Sequence, residues 1–291
     1  MPNKKLRLDN CLLRSRQTIE IAISFSMYPR IDDEFFLPGY NKECNMAGDG
    51  SAYDIQTYVS ELADALRAVV ARIPDQSAIA FSGGLDSSIL LYLSPKSIHP
   101  YVVGLPGSRD MLSARESAAM LERNVTAIEV TEDQILEAAF SIKKIDPEIV
   151  MTDLGFETVL YLALSEITED ILVTGQGADE IFYGYHRFLT VGGGTNLASI
   201  EKLLKITLPR EKKIAESTGK KILTPYLDPA IMKYSSLDMS VHIRNGKNKI
   251  LLRSAGMKLG IPEAVCQKQK KAAQYGSGVD KVLRKNRELL F

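Results

Sequence analysis

The chain has 291 residues, 45% hydrophobic and 25% charged, and its 36 basic and 36 acidic side chains give zero net charge. This is the balance of a soluble globular protein with one large domain or two small ones, with no global pull toward nucleic acid or acidic membrane. Cys11, Cys44 and Cys266 are too far apart for a C-x-x-C pair, which removes support for a disulfide framework, a zinc knuckle or an iron–sulfur site.

His99, His186 and His242 are equally scattered, and each reads as structural or exposed rather than as a metal ligand. No run of about 18 apolar residues exists to span a membrane. The basic start "MPNKKLR" lacks the apolar core of a signal peptide, so a cytoplasmic location is expected.

Residues 1–52 read as an N-terminal arm. Within it "TIEIAISFSM" alternates, with Ile19, Ile21, Ile23, Phe25 and Met27 on one face, and predicts a half-buried strand that could pair across a homodimer. "GYNKECNMAGDGSAYD" is a turn-rich linker. Residues 53–291 read as one domain. "YDIQTYVSELADALRAVVARI" has helical spacing and stops at Pro74. Strands are predicted at "SAIAF", "HPYVVGL", "VTAIEV" and "DILVTG". Between them "DSSILLYL", "SRDMLSARESAAMLERN", "EDQILEAAFSIKK" and "GFETVLYLALSEIT" predict helices. Short apolar strands alternating with helices argue for an α/β fold, a parallel sheet with helices on both faces. After residue 185 strand signals vanish; "LASIEKLLKI", "KILLRSAGMKLG" and "VDKVLRKNRELL" predict a helical C-terminal third. "VGGGTN", residues 191–196, fits a linker better than a lid.

The loop "SGGLDSS", residues 82–88, joins the first core strand to its helix, and in an open parallel sheet ligands bind beyond such strand ends. Gly83 and Gly84 let the backbone turn tightly and approach a ligand. Free N–H groups at the helix start favour an anion, and Ser82, Ser87 and Ser88 add hydroxyl donors. The loop lacks the G-x-x-x-x-G-K-[ST] pattern, so it is not a Walker-type loop. Asp86 would repel phosphates unless a divalent cation lay between, so the site implies Mg²⁺. A plain helix cap would account for one of these residues but not for the set.

S-G-G-x-D-S-S after a strand resembles the pyrophosphate-binding loop of the adenylating N-type ATP pyrophosphatases. A second strand end, "ILVTGQGADEIFYGYHRF", resembles the S-G-E-G-S-D-E-x-F-G-G-Y signature of the asparagine synthetase C-terminal domain. "VVGLPGSRDMLSARESAAML", "TPYLDPAIM", "KILLRSA" and "KQKKAAQYGSG" resemble, in order, further segments of that domain, so the likeness spans residues 53 to 285. It implies an adenine nucleotide α-hydrolase-like (HUP-type) fold. It also implies that Asp86 and Asp179 hold Mg²⁺ on ATP, while Ser82, Gly83, Gly84, Ser87 and Ser88 bind pyrophosphate. Phe81, Val103, Gly104 and Gly175 would contact adenosine, and Lys270 would be the catalytic lysine that stabilises charge on the phosphates. The implied reaction is adenylation of a carboxylate, aspartate by resemblance, followed by transfer of ammonia.

Three departures qualify that likeness. Residue 2 is Pro where the family's glutaminase domain begins with cysteine, and the arm is too short for that domain. Nitrogen would then come as free ammonia or from a separate glutaminase subunit. Gln176 stands where the family has glutamate, and an amide cannot act as a base. Lys221 aligns with a second family glutamate, and no Tyr–Glu pair of the β-lactam synthetase kind is found at these positions. Two other readings therefore stay open: adenylation of another metabolite or a tRNA base, and a non-catalytic nucleotide-binding subunit that partners a glutaminase.

Overall fold

A computed structural model describes residues 55–190, 195–268 and 273–291, and residues 55–291 cluster as one unit. The arm with its predicted strand, and residues 191–194 of the glycine-rich connection, lie outside the described residues. Five strands run parallel in the spatial order β3-β2-β1-β4-β5. They are β1 (Ala78–Ala80), β2 (His99–Gly104), β3 (Thr126–Glu129), β4 (Ile171–Val173) and β5 (Lys221–Leu223). The principal helices are α1 (Ile55–Val70), α2 (Leu85–Leu93), α3 (Arg109–Met120), α4 (Glu132–Ile145), α5 (Met151–Glu166), α6 (Ala178–Ile181), α7 (Leu208–Ser217), α8 (Ile250–Lys258) and α9 (Val279–Lys285).

The order reverses between β1 and β4. Right-handed crossovers place α2 and α3 on one face of the sheet, and the return path through α4 and α5 on the other. The helix contacts agree: α1, α2 and α8 pack together, and α4, α5, α7 and α9 form a separate set. The sheet is therefore covered on both faces, as its continuously apolar strands require. Ala78, Ile79, Leu172 and Val173 are fully buried, and Ile89, Leu90, Leu251, Leu252 and Ala255 fill the layer beneath α1. Helix α1 buries Val59, Leu62, Leu66 and Val69, the three-to-four spacing that predicts it.

Two elements fall outside the expected pattern. Strand β5 lies after residue 185, where no strand is expected. It pairs with β4 through Ile171↔Lys221, Leu172↔Ile222 and Val173↔Leu223. Only Ile222 of its three residues is buried, so its place comes from backbone pairing with β4 rather than from an apolar run. Helix α7 begins at Leu208, beyond the predicted helix that ends at residue 206, with Pro209 in its first turn where proline is tolerated. A third, smaller difference is that α5 starts at Met151, four residues before its predicted start. Among the described residues no helix is long and apolar enough to cross a membrane.

Candidate active site

The reversal between β1 and β4 leaves a crevice beyond their C-terminal ends, the position where open parallel sheets bind ligands. Phe81 follows β1 and donates its backbone N–H to Tyr101 of β2 at 2.7 Å. Val103 and Gly104 close β2, and Gly175 follows β4. These residues sit on three neighbouring strand ends, so the predicted contacts share one rim of the sheet.

The 82–88 loop turns at Gly83, whose φ of +70° is left-handed backbone. A Cβ there would lie 2.4 Å from the Ser113 carbonyl oxygen, so α3 presses directly on the turn. Ser117 Oγ donates to the Gly83 carbonyl at 2.8 Å and locks that contact. Ser87 Oγ turns back to the Gly84 carbonyl at 3.4 Å. Ser88 Oγ is buried with no hydrogen-bond partner among the described residues, which leaves it a spare donor within the loop. Ser82 and Gly84 are half-buried at the surface of the turn.

The second loop lies against the first. A Cβ on Gly175 would stand 3.2 Å from Cβ of Asp86, so a larger residue would push the two loops apart. Asp86 and Asp179 then converge on a single cation, the ammonium of Lys249. Its Nζ is 2.6 Å from Asp86 Oδ1 and 2.7 Å from Asp179 Oδ1. The lysine is 2% exposed and Asp86 is 6% exposed, so the pairing is shielded from water. Tyr226, fully buried in the "TPYLD" turn, donates to the Asp86 carbonyl at 2.9 Å and fixes that residue's backbone.

The convergence is a test of whether a divalent cation fits here. Two carboxylates from separate strand ends already share one cationic centre. Mg²⁺ takes one or two protein carboxylates and completes its shell with phosphate oxygens and water, so this donor set suits it. Among the described residues no group of three or more His, Cys, Asp or Glu could hold a metal unaided, so a metal here would depend on its ligand.

Lys249 is a site residue that the motif likeness left without a role. It initiates α8 in the left-handed region, with φ of 56°, uncommon for a residue that is neither Gly nor Asn. Arg253, four residues on, donates to the Asn248 carbonyl at 2.8 Å, the Cys266 carbonyl at 2.5 Å and the Lys268 carbonyl at 3.0 Å. The K-x-x-L-R spacing thus has a physical reason: the arginine ties the segment that carries Lys249 to the segment that begins the "KQKK" run. Lys268 Nζ donates to Ser117 Oγ at 2.7 Å and to Ser113, so this lysine supports the helix behind Gly83. Lys270 lies outside the described residues.

Gln176 is also not alone. Its Nε2 donates to Glu211 Oε1 at 2.6 Å, from α7. Burial, with Glu157 and Glu180 adding like charge, pushes the Glu211 carboxyl well above the usual carboxylate range. Beside it Glu157, also buried, is pushed up to about 7. Arg210 answers this acidity with contacts to Asp146 at 2.6 Å, Asp153 at 3.2 Å and Glu157 at 3.3 Å. A carboxyl from a different helix therefore lies against the side chain that stands where the resembled family has glutamate. Lys221, by contrast, is an exposed residue of β5. No local signal marks Glu211, which sits in the charged run "PREKK" and reads as solvated surface.

Residues 60–197 match the family model described as asparagine synthase. A putative glutamine-hydrolyzing asparagine synthetase of Methanocaldococcus jannaschii is 26% identical over 308 residues, covering 88% of this chain and 56% of that protein. Glutamine-hydrolyzing asparagine synthetase B of Escherichia coli is 27% identical over 234 residues, covering 69% of this chain and 41% of that protein. The chain thus spans about half the length of these relatives. An NMN synthetase structure from Francisella tularensis aligns over 80% of this chain and 87% of its own, at 16% identity and a TM-score of 0.40.

Proposed function

We propose, from the match of residues 60–197 to the asparagine synthase family model and from the geometry of the site, that this chain is an ATP-dependent, AMP-forming amide synthetase. A substrate carboxylate oxygen attacks the α-phosphorus of ATP, the bond to the β-phosphate oxygen breaks, and pyrophosphate leaves. Ammonia nitrogen then attacks the acyl carbon of the adenylate, AMP leaves with the bonding electrons, and nitrogen loses a proton. Aspartate is the carboxylate and ammonia the nitrogen source, free or from a separate glutaminase subunit.

The observation that carries this reading is the meeting of Asp86 and Asp179, from two strand ends, on one cationic centre. Mg²⁺ bound there would neutralise phosphate charge as it builds on the leaving group. Gly83, Gly84 and the α2 N-terminus offer backbone donors to phosphate, with Ser82, Ser87 and Ser88 as hydroxyl donors. Lys270 supplies further positive charge at the α-phosphate. Phe81, Val103, Gly104 and Gly175 line the adenosine side. Glu211, hydrogen-bonded to Gln176, is the carboxyl that takes the proton from nitrogen that Gln176 cannot take.

Substrate-dependent exchange of labelled pyrophosphate into ATP tests the first half-reaction. Exchange with aspartate is expected, abolished in Asp86→Ala and strongly lowered in Lys270→Ala. A panel of amino acids with ammonia or glutamine, followed by pyrophosphate and AMP, tests the second. Full exchange in Asp86→Ala, or ADP in place of AMP, would reject the assignment.

A further inference from the structure

Lys249 occupies the place where the carboxylates of a metal–nucleotide site converge, although it belongs to neither strand-end loop. Its side chain is almost wholly buried, with Nζ within 2.7 Å of one oxygen of Asp86 and one of Asp179. Gly184 gives it passage: a Cβ at that position would lie 2.2 Å from Lys249 Cε and 2.0 Å from Asp179 Oδ1. The backbone that delivers it is held on both sides. Asn248 Nδ2 donates to the Gly184 carbonyl at 2.5 Å, and Arg253 holds the Asn248 carbonyl. The left-handed φ of Lys249 is a sterically costly conformation for such a residue, and this surrounding structure maintains it.

An ammonium and a divalent cation cannot share the same two carboxylate oxygens, because at that separation and in a shielded site their repulsion is large. We propose that Lys249 holds the cation position until phosphate oxygens draw its ammonium away, so that divalent metal enters this site only together with nucleotide. The lysine then exchanges two carboxylate partners for phosphate oxygens, conserving its charge pairing, while the carboxylates exchange the ammonium for the metal. This inference rests on the reading of Asp86 and Asp179 as a cation site for ATP, and it adds an order of binding and a role for Lys249.

The test is Mn²⁺ binding to the full chain, read by electron paramagnetic resonance of free Mn²⁺ and by water-proton relaxation. Without nucleotide the wild-type chain is expected to show no saturable site, and to form a ternary complex when ATP is added. Lys249→Met is expected to bind one Mn²⁺ per chain without nucleotide, at least about tenfold more tightly than wild type, the scale of a direct two-site coupling. Adding Asp86→Asn to that variant should remove the site. The Lys249→Met melting temperature should rise with Mn²⁺ while that of wild type does not, since the metal then supplies the positive charge that the ammonium otherwise brings to the two carboxylates.

Equal Mn²⁺ binding by wild type and Lys249→Met without ATP would overturn the proposal and leave the cation site standing. Failure of both to bind Mn²⁺ even with ATP would overturn the cation site itself, and the proposal with it. Should Lys249→Met not fold with or without metal, the wild type decides alone. Saturable Mn²⁺ binding without nucleotide that Asp86→Asn removes would overturn the proposal. Binding seen only with ATP would support it.

Discussion

Glu211 accepts a 2.6 Å hydrogen bond from Gln176, although the two residues belong to different elements, the β4 loop and helix α7. The second oxygen of Glu211 has no hydrogen-bond partner among the described residues. A buried carboxyl with raised proton affinity, hydrogen-bonded to a strand-end loop, is chemically a proton acceptor beside the site. Glu211→Gln is expected to lower amide formation by about 10²–10⁴-fold, the usual range for a general base, and pyrophosphate exchange far less. Parallel loss of both activities would assign Glu211 to the structure of the loop instead.

Gly184→Ala tests the corridor beside Lys249. The added methyl would stand 2.0 Å from Asp179 Oδ1 and 2.9 Å from Asp179 Cα, and the second of these is backbone that cannot swing aside. Overpacking of this kind costs about 1–3 kcal/mol. The melting temperature should fall by roughly 2–4 °C for each of those kcal/mol, and nucleotide-dependent exchange should fall with it. A variant with unchanged exchange and unchanged melting would mean that the two loops reposition at little cost.

Arg253→Lys is not a conservative change at this position. The guanidinium serves three backbone carbonyls at once, those of Asn248, Cys266 and Lys268. A lysine ammonium is a single centre and cannot span them. Each buried carbonyl left without its donor costs about 1–3 kcal/mol. Chemical denaturation should show a loss of about 2–4 kcal/mol, and ATP affinity should weaken because Lys249 and Lys268 are both displaced. Loss of stability with ATP affinity intact would confine Arg253 to the core.

His242 gives the molecule an acid-sensitive point beside the β4–α6 motif. It is fully buried, stacked on Tyr183 at 5.1 Å between ring centres and edge-on to Phe182 at 5.8 Å. Its Nε2 lies 3.1 Å from the Tyr234 carbonyl. Burial is the main cause that lowers its proton affinity from 6.5 to about 4. The folded chain therefore binds fewer protons at this ring than the unfolded chain does between those values. Its contribution to stability is present above pH ~6.5 and is lost as pH falls toward ~4, by about 3 kcal/mol in all. Denaturation midpoints measured across this interval should fall with pH, and His242→Gln should flatten that slope. An unchanged slope in the variant would assign the acid sensitivity to the carboxylates.

The core of the α/β architecture and the two strand-end loops were legible because local chemistry encodes them. Short apolar runs such as "SAIAF" and "ILV", bounded by turn residues and alternating with helical patterns, fit strands of a covered sheet, and a plain turn does not account for Gly83 beside Asp86 and three serines. Strand β5 was not legible, since a three-residue edge strand that opens on an exposed lysine is defined by the neighbour whose backbone it pairs with. The partners of the site residues were equally hidden. Glu211 lies 35 residues after Gln176 in a run that looks solvated, and Lys249 stands 163 residues after Asp86. Sequence by itself marked which residues are chemically suited to a phosphate or a metal, because that suitability depends on side-chain type and local backbone freedom. Only the tertiary structure decided that Asp86 and Asp179 share a single ammonium and that Gln176 is backed by a buried carboxyl. Both pairings are set by how distant segments pack in space, and no local pattern carries that information.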